Sequence, residues 1–228
     1  KTLGLIGGTS WVSTIDYYKY INQMVNEKLG GINSAKLLVY SMNMEELFKF
    51  ASTNDWNGLA NFLSAIAKKL ETAGAEALIL CANTPHIAAD AVQKNIKIPL
   101  IHIVDETAKE IAKHKIKKVI LLGTKITMEQ DFFKKRLLNY GIESIVPDEA
   151  DREFIHTSIF NELGKGIFSP ETKRKYVEII NKLKKTGEEG VILGCTEIPM
   201  LIKQEDCSIK TFDTTLIHAR AAVEFALA

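Results

Sequence analysis

The sequence predicts an α/β fold of two similar halves, each a parallel sheet covered by helices, and three observations predict it. Residues 70–84 (LETAGAEALILCANT) and 183–197 (LKKTGEEGVILGCTE) repeat each other at an offset of 113 residues. The repeat sets Leu70 on Leu183, Gly74 on Gly187, Glu76 on Glu189, Ile79-Leu80 on Ile192-Leu193, and Ala82 on Cys195. Short apolar runs alternate with amphipathic stretches from end to end, the pattern of βα units that builds parallel sheets. The 228 residues are 46% hydrophobic and 25% charged, enough for a substantial core and ordinary for a soluble globular protein.

Each element follows from local pattern. Thr2–Ile6 is a buried strand ending in Gly7-Gly8-Thr9-Ser10. Residues 14–28 carry Ile15, Tyr18, Ile21 and Val25 at helical spacing, and Lys36–Ser41 is the second strand. Trp56–Ala73 places Leu59, Phe62, Leu63, Ile66 and Leu70 on one helix face. Ala77–Leu80 and Ile98–Ile103 are the third and fourth strands. The pattern restarts with strand Lys118–Leu122 before Gly123-Thr124, helix Met128–Tyr140 and strand Ser144–Val146. Helices Asp151–Leu163 and Glu171–Lys185 flank a Gly164-Lys165-Gly166 loop. Strands Gly190–Leu193 and Lys210–Phe212 and helix Thr215–Leu227 complete the chain.

Gly8-Thr9 corresponds to Gly123-Thr124, and Val104-Asp105-Glu106-Thr107 to Phe212-Asp213-Thr214-Thr215, each pair entering a helix with Asp or Thr near its cap. The last helix is expected to pack on the first half, so the halves are 1–103 plus 212–228, and 104–211. Open parallel sheets bind ligands beyond the carboxyl ends of their strands. Loops 7–10, 81–84, 123–127 and 194–197 are therefore expected around one cleft.

Composition excludes several classes. A formal charge of +1 leaves no footprint for nucleic acid or an acidic membrane. No apolar run approaches the ~20 residues that span a bilayer. With no signal peptide ahead of the first strand, a cytoplasmic location is expected. Cys81, Cys195 and Cys207 lack disulfide or zinc spacing, and no histidine pair has metal-site spacing. His86, His102, His114, His156 and His218 are read as surface or capping residues. The first loop lacks both GxGxxG and GxxxxGK[ST], which excludes a dinucleotide site and a P-loop.

Cys195, at the end of an apolar strand in Gly-Cys-Thr-Glu, is the candidate acid/base. A following helix N-terminus favours thiolate there, while a small buried hydrophobe is the bland alternative. Asn83-Thr84 and Thr196-Glu197 are matched polar pairs suited to a carboxylate, or to helix capping; Thr124 and Thr127 invite both readings equally.

Gly7-Gly8-Thr9-Ser10 with Ser13-Thr14, Asn83-Thr84, Gly123-Thr124, Thr127-Met128, Gly194-Cys195-Thr196-Glu197 and Asp213-Thr214 resemble, in order along nearly the whole chain, the aspartate/glutamate racemases. The resemblance implies two Rossmann-like halves about a pseudo-twofold axis, an active-site cleft between them, a homodimer, and no pyridoxal phosphate or other cofactor. It also implies two cysteines facing opposite sides of the substrate α-carbon, one removing the proton and one returning it. Cys195 fills the second position. The first, which in the family immediately precedes Asn-Thr, is Ala82 here, with Cys81 one residue earlier. Neighbouring side chains on a strand point to opposite sides, so Cys81 should aim away from where Ala82 aims.

The expected substrate is a small amino acid or dicarboxylate. Thr9, Ser10, Asn83, Thr84, Thr124, Thr127, Thr196 and Glu197 are its expected ligands, Ser41 and Asn43 line the pocket, and Lys165 is the candidate cation for a side-chain carboxylate. Three activities fit: a racemase-type enzyme for aspartate, glutamate or a related acid; an impaired homologue that only binds a carboxylate; and a single-cysteine decarboxylase of malonate-type acids. Isomerases and hydantoin racemases of the superfamily are further options, expected to keep both cysteines.

Overall fold

The computed structural model describes residues 1–228. The chain divides into two compact units, Lys1–Ile103 with His218–Ala228, and Val104–Ile217.

The first unit runs β1 (Leu3–Gly7), α1 (Trp11–Leu29), β2 (Leu37–Ser41), α2 (Met44–Ser52), α3 (Trp56–Thr72) and β3 (Ala77–Leu80). A 3-10 turn (Thr84–Ala88), α4 (Ala89–Gln93), β4 (Leu100–Ile101) and the start of α5 (Ile103–Lys113) follow. The strands form one parallel sheet in the order β2-β1-β3-β4, with Leu5 opposite both Val39 and Ile79. Alternation along the central strands sorts their side chains to two faces. Ile6, Leu78 and Leu80 pack with Leu59, Leu63, Ile66 and Leu70 of α3. Leu3, Leu5, Ala77 and Ile79 pack with Tyr17, Ile21 and Val25 of α1 and with Ala219, Ala222 and Val223 near the chain's end. Burial on both faces is why β1 and β3 read as unbroken apolar runs.

The second unit runs β5 (Lys118–Gly123), α6 (Lys125–Glu129), α7 (Asp131–Leu138), β6 (Glu143–Ile145), α8 (Glu149–Asn161) and a 3-10 turn (Leu163–Lys165). It continues with α9 (Pro170–Lys184), β7 (Gly190–Gly194), α10 (Ile198–Leu201), a 3-10 turn (Gln204–Asp206), β8 (Lys210–Asp213) and α11 (Thr214–Leu227), whose residues from His218 belong to the first unit. Its parallel sheet has the order β6-β5-β7-β8, the first unit's order advanced by four strands. Ile120, Leu122, Val191 and Leu193 pack against Ile155 and Ile159 of α8 and Tyr176, Ile179 and Ile180 of α9.

The internal repeat reappears as geometry. Gly74 and Gly187 have φ of 98° and 103°, in the left-handed region that favours glycine. Two residues on, Glu76 accepts from the Thr2 amide at 2.6 Å and Glu189 from the Lys117 amide at 3.5 Å. Each glutamate ties the start of its unit's first strand.

Three expectations about elements are corrected, and one helix lies where the sequence reading assigns no element. Met44–Ser52 is a helix because Asn43 and Glu46 make a capping box. The helix expected over 128–140 is two helices, since Gln130 is extended (φ −77°, ψ 147°). Only Leu100–Ile101 of the fourth strand pairs, because Ile103 already begins α5. The Gly164-Lys165-Gly166 loop contains a 3-10 turn closed by Gly166 at φ 76°. No helix is long and apolar enough to cross a membrane.

Candidate active site

In the first unit the loop after β1 is built by hydroxyls. Thr14 Oγ1 accepts from the Gly8 amide at 2.8 Å and donates to the Ser10 carbonyl at 3.0 Å, while Ser10 caps α1. Gly8, at φ 84°, lies so close to Met42 that an added Cβ would collide with its backbone. Thr9 is buried and its Oγ1 has no hydrogen-bond partner. A buried orphan hydroxyl costs about 1–3 kcal/mol, which a polar ligand could recover. Ser41 is exposed, and Asn43 caps α2 by accepting from the Glu45 amide at 3.1 Å.

The loop after β3 separates its residues sharply. Cys81 is 1% exposed, within the core that holds Tyr17, Ile21 and Ala219, and burial pushes its thiol far above the ordinary range. Ala82 and Asn83 are also buried, and Thr84 is half-buried at the head of its 3-10 turn.

In the second unit Thr124 caps α6, accepting from the Thr127 amide at 3.3 Å, and the two hydroxyls lie 3.2 Å apart. After β7, Cys195 Sγ donates to Glu197 Oε2 at 2.9 Å, and Thr196 Oγ1 donates to the same oxygen at 2.7 Å. Thr196 and Glu197 are buried, whereas Cys195 keeps partial exposure. Burial raises the Cys195 thiol well above its ordinary range, and the Glu197 carboxylate raises it further. The expected help from a helix N-terminus does not prevail, because the following helix has only four residues and an acidic residue at its cap. With Oε2 accepting from both Cys195 and Thr196, Glu197 is a partner of the thiol rather than a ligand for a substrate carboxylate.

Lys165 is exposed in its 3-10 turn. Two of the arginines are engaged in the second unit: Arg136 forks onto Asp105 at 2.7 and 2.9 Å, and Arg152 bonds Glu129 at 2.9 Å. No group of three or more His, Cys, Asp or Glu side chains is arranged to hold a metal.

The sequence reading missed two features. Thr215, beside the Asp213 that accepts from the Thr215 and Leu216 amides, has a buried hydroxyl with no partner. And three histidines read as surface or capping residues are buried together in the first unit. The His86 ring lies 4.7 Å from His102 and 5.5 Å from His218 between centroids. His218 Nε2 donates to the Ile101 carbonyl at 2.7 Å, so Nδ1 accepts from the Tyr17 hydroxyl at 2.8 Å. Burial lowers its pKa to about 4, keeping it neutral. Their positions at strand and helix ends were the available signal; sequence distance hid their convergence.

Comparison with known proteins bears on this arrangement. A sequence model of the Asp/Glu/Hydantoin racemase family matches residues 6–222. A candidate Asp/Glu racemase from Yersinia pestis, solved by crystallography, is 46% identical with a TM-score of 0.95, covering 100% of both chains. An aspartate racemase homologue from Pyrococcus horikoshii OT3 is 41% identical with a TM-score of 0.89, again over 100% of both. The broad specificity amino-acid racemase RacX of Bacillus subtilis (strain 168) is 28% identical over 166 residues, 71% of this chain and 70% of the relative.

Proposed function

The chain belongs to the Asp/Glu/hydantoin racemase family, and from that premise we propose that it is a cofactor-independent racemase-type enzyme acting on aspartate, glutamate or a related small acid. Cys195 is the acid/base that moves the α-proton. The observation that carries this reading is the Cys195 thiol held 2.9 Å from the Glu197 carboxylate. A thiol with a raised pKa is a poor resting thiolate, so it needs a base in contact when it must take a proton. Glu197 supplies that base and the return path for the proton.

In the first unit the buried, unpartnered hydroxyl of Thr9, with Asn83 and Thr84, supports recognition of a substrate's polar groups; in the second unit Thr124, Thr127 and Thr196 are the groups we assign to the same task. Donors at the carboxylate also stabilise the carbanion that develops at the α-carbon. No thiol stands at position 82, and the Cys81 thiol is committed to the core. Chemistry at the second face then falls to water or another group, and exchange from one enantiomer exceeds exchange from the other. The same reading takes a homodimer from the resemblance, and it places the protein in the cytoplasm.

Deuterium incorporation at Cα of L- and D-aspartate and glutamate in heavy water, for wild type and Cys195→Ala, tests this. Exchange abolished by the substitution supports the proposal. Tight binding without exchange favours a carboxylate-binding homologue, and carbon dioxide release from a malonate favours the single-cysteine decarboxylase. Exchange that survives Cys195→Ala overturns the role of the thiol.

A further inference from the structure

We propose that His86 is a positioning residue: it holds the Ala82-Asn83-Thr84 loop in its binding conformation through the Ala82 carbonyl. This rests on the functional reading above for what the loop binds, but not for how it is held.

The geometry determines the ring's hydrogens. Ile103 is the first residue of α5, and its amide is one of the N–H groups that a helix start leaves without an intrahelical partner. That amide donates to His86 Nε2 at 3.2 Å, so Nε2 carries no proton. The proton is therefore on Nδ1, which lies 2.8 Å from the Ala82 carbonyl and donates to it. His86 is four residues beyond Ala82, so the ring folds back over its own 3-10 turn to make this bond. One neutral imidazole thus links the loop after β3 to the start of α5, and the edge contacts with His102 and His218 hold the ring in place.

The consequence is specific. At Ala82 the chain leaves the regular ladder: the Cys81 amide still bonds the Ile6 carbonyl, while the Ala82 carbonyl turns to a side chain. The direction of that carbonyl sets the next peptide, and hence where the Asn83 side chain and the loop amides point. Binding geometry within about 0.5 Å is what such supports preserve. A ring that merely filled space would not need its Nδ1–H.

Isosteric variants separate the two roles. Asparagine can place an amide N–H where Nδ1–H stands and keeps the Ala82 bond; glutamine reaches the Nε2 position and keeps an acceptor for Ile103; alanine keeps neither. Two measurements are made on His86→Asn, His86→Gln and His86→Ala in the full chain. Amide hydrogen exchange over residues 82–88 reads the loop directly, and KM against kcat for α-proton exchange of aspartate and glutamate reads its use. Expected is loop exchange faster by roughly tenfold in the Gln and Ala variants and near wild type in the Asn variant. KM should rise in the same order by about tenfold, with kcat changed far less. If Asn and Ala variants are equally loosened, or none is, the positioning role is overturned. If the wild type neither binds nor exchanges these acids, the functional reading fails, while the order of loop exchange still decides the role of His86.

Discussion

Protonation of His218 should make the first unit sensitive to mild acid, by an amount that can be worked out. The ring is fully buried, donates to Ile101 and accepts from Tyr17, and its pKa falls from 6.5 to about 4. Between those values the unfolded chain binds a proton that the folded chain refuses, so stability falls as pH drops through this window and is unaffected by this group above it. Two and a half units at about 1.4 kcal/mol each give roughly 3 kcal/mol below both values, and about 2 kcal/mol between pH 7 and pH 5. His218→Gln removes the titration. Glutamine can still donate to Ile101 but leaves the Tyr17 hydroxyl short of an acceptor, a loss of about 1–3 kcal/mol at any pH. The variant should therefore be weaker at pH 7 yet lose about 2 kcal/mol less than wild type on going to pH 5. Both tryptophans, Trp11 and Trp56, lie in the first unit, so urea unfolding followed by tryptophan fluorescence reports on the unit that contains His218. Equal losses in the two proteins would refute the assignment of the window to this ring.

Three further outcomes are expected. Glu197→Gln removes the carboxylate that raises the Cys195 thiol, so iodoacetamide should alkylate Cys195 at lower pH; no movement would show that burial alone sets the thiol, and movement upward would refute the carboxylate's role. Ala82→Cys places a thiol where the resemblance implies one, and α-proton exchange should become comparable for both enantiomers; a retained preference would mean that position 82 is not the second acid/base. Gly8→Ala forces a side chain into a left-handed position against the Met42 backbone and should lower stability by at least about 2 kcal/mol in urea unfolding, so an unchanged midpoint would contradict the packing.

What could be read from the sequence depended on how local its cause was. β3 and β7 were plain because strands buried on both faces must be continuously apolar, and Gly74 and Gly187 because a positive φ admits little else. Helix α2 had a visible start in Asn43 and Glu46, but Asn43 was assigned to a pocket wall instead of a cap. The break at Gln130 had no glycine or proline to announce it. At the site, Cys195 stood out by motif, whereas its contact with Glu197 depends on the turn that brings positions two apart together. The imidazole cluster was hidden because residues 86, 102 and 218 meet only when the last helix returns to the first unit.

That return has a consequence for how the protein is made. The second unit is one uninterrupted stretch, Val104–Ile217, and can close as soon as it leaves the ribosome. The first unit begins earlier and finishes later: it lacks His218, Ala219, Ala222 and Val223 until all of the second has been synthesised. Through that interval the cluster of Leu3, Leu5, Ile79 and Tyr17 has its α1 partners but lacks those contributed by the last helix. The earlier-born half is thus the later-completed one.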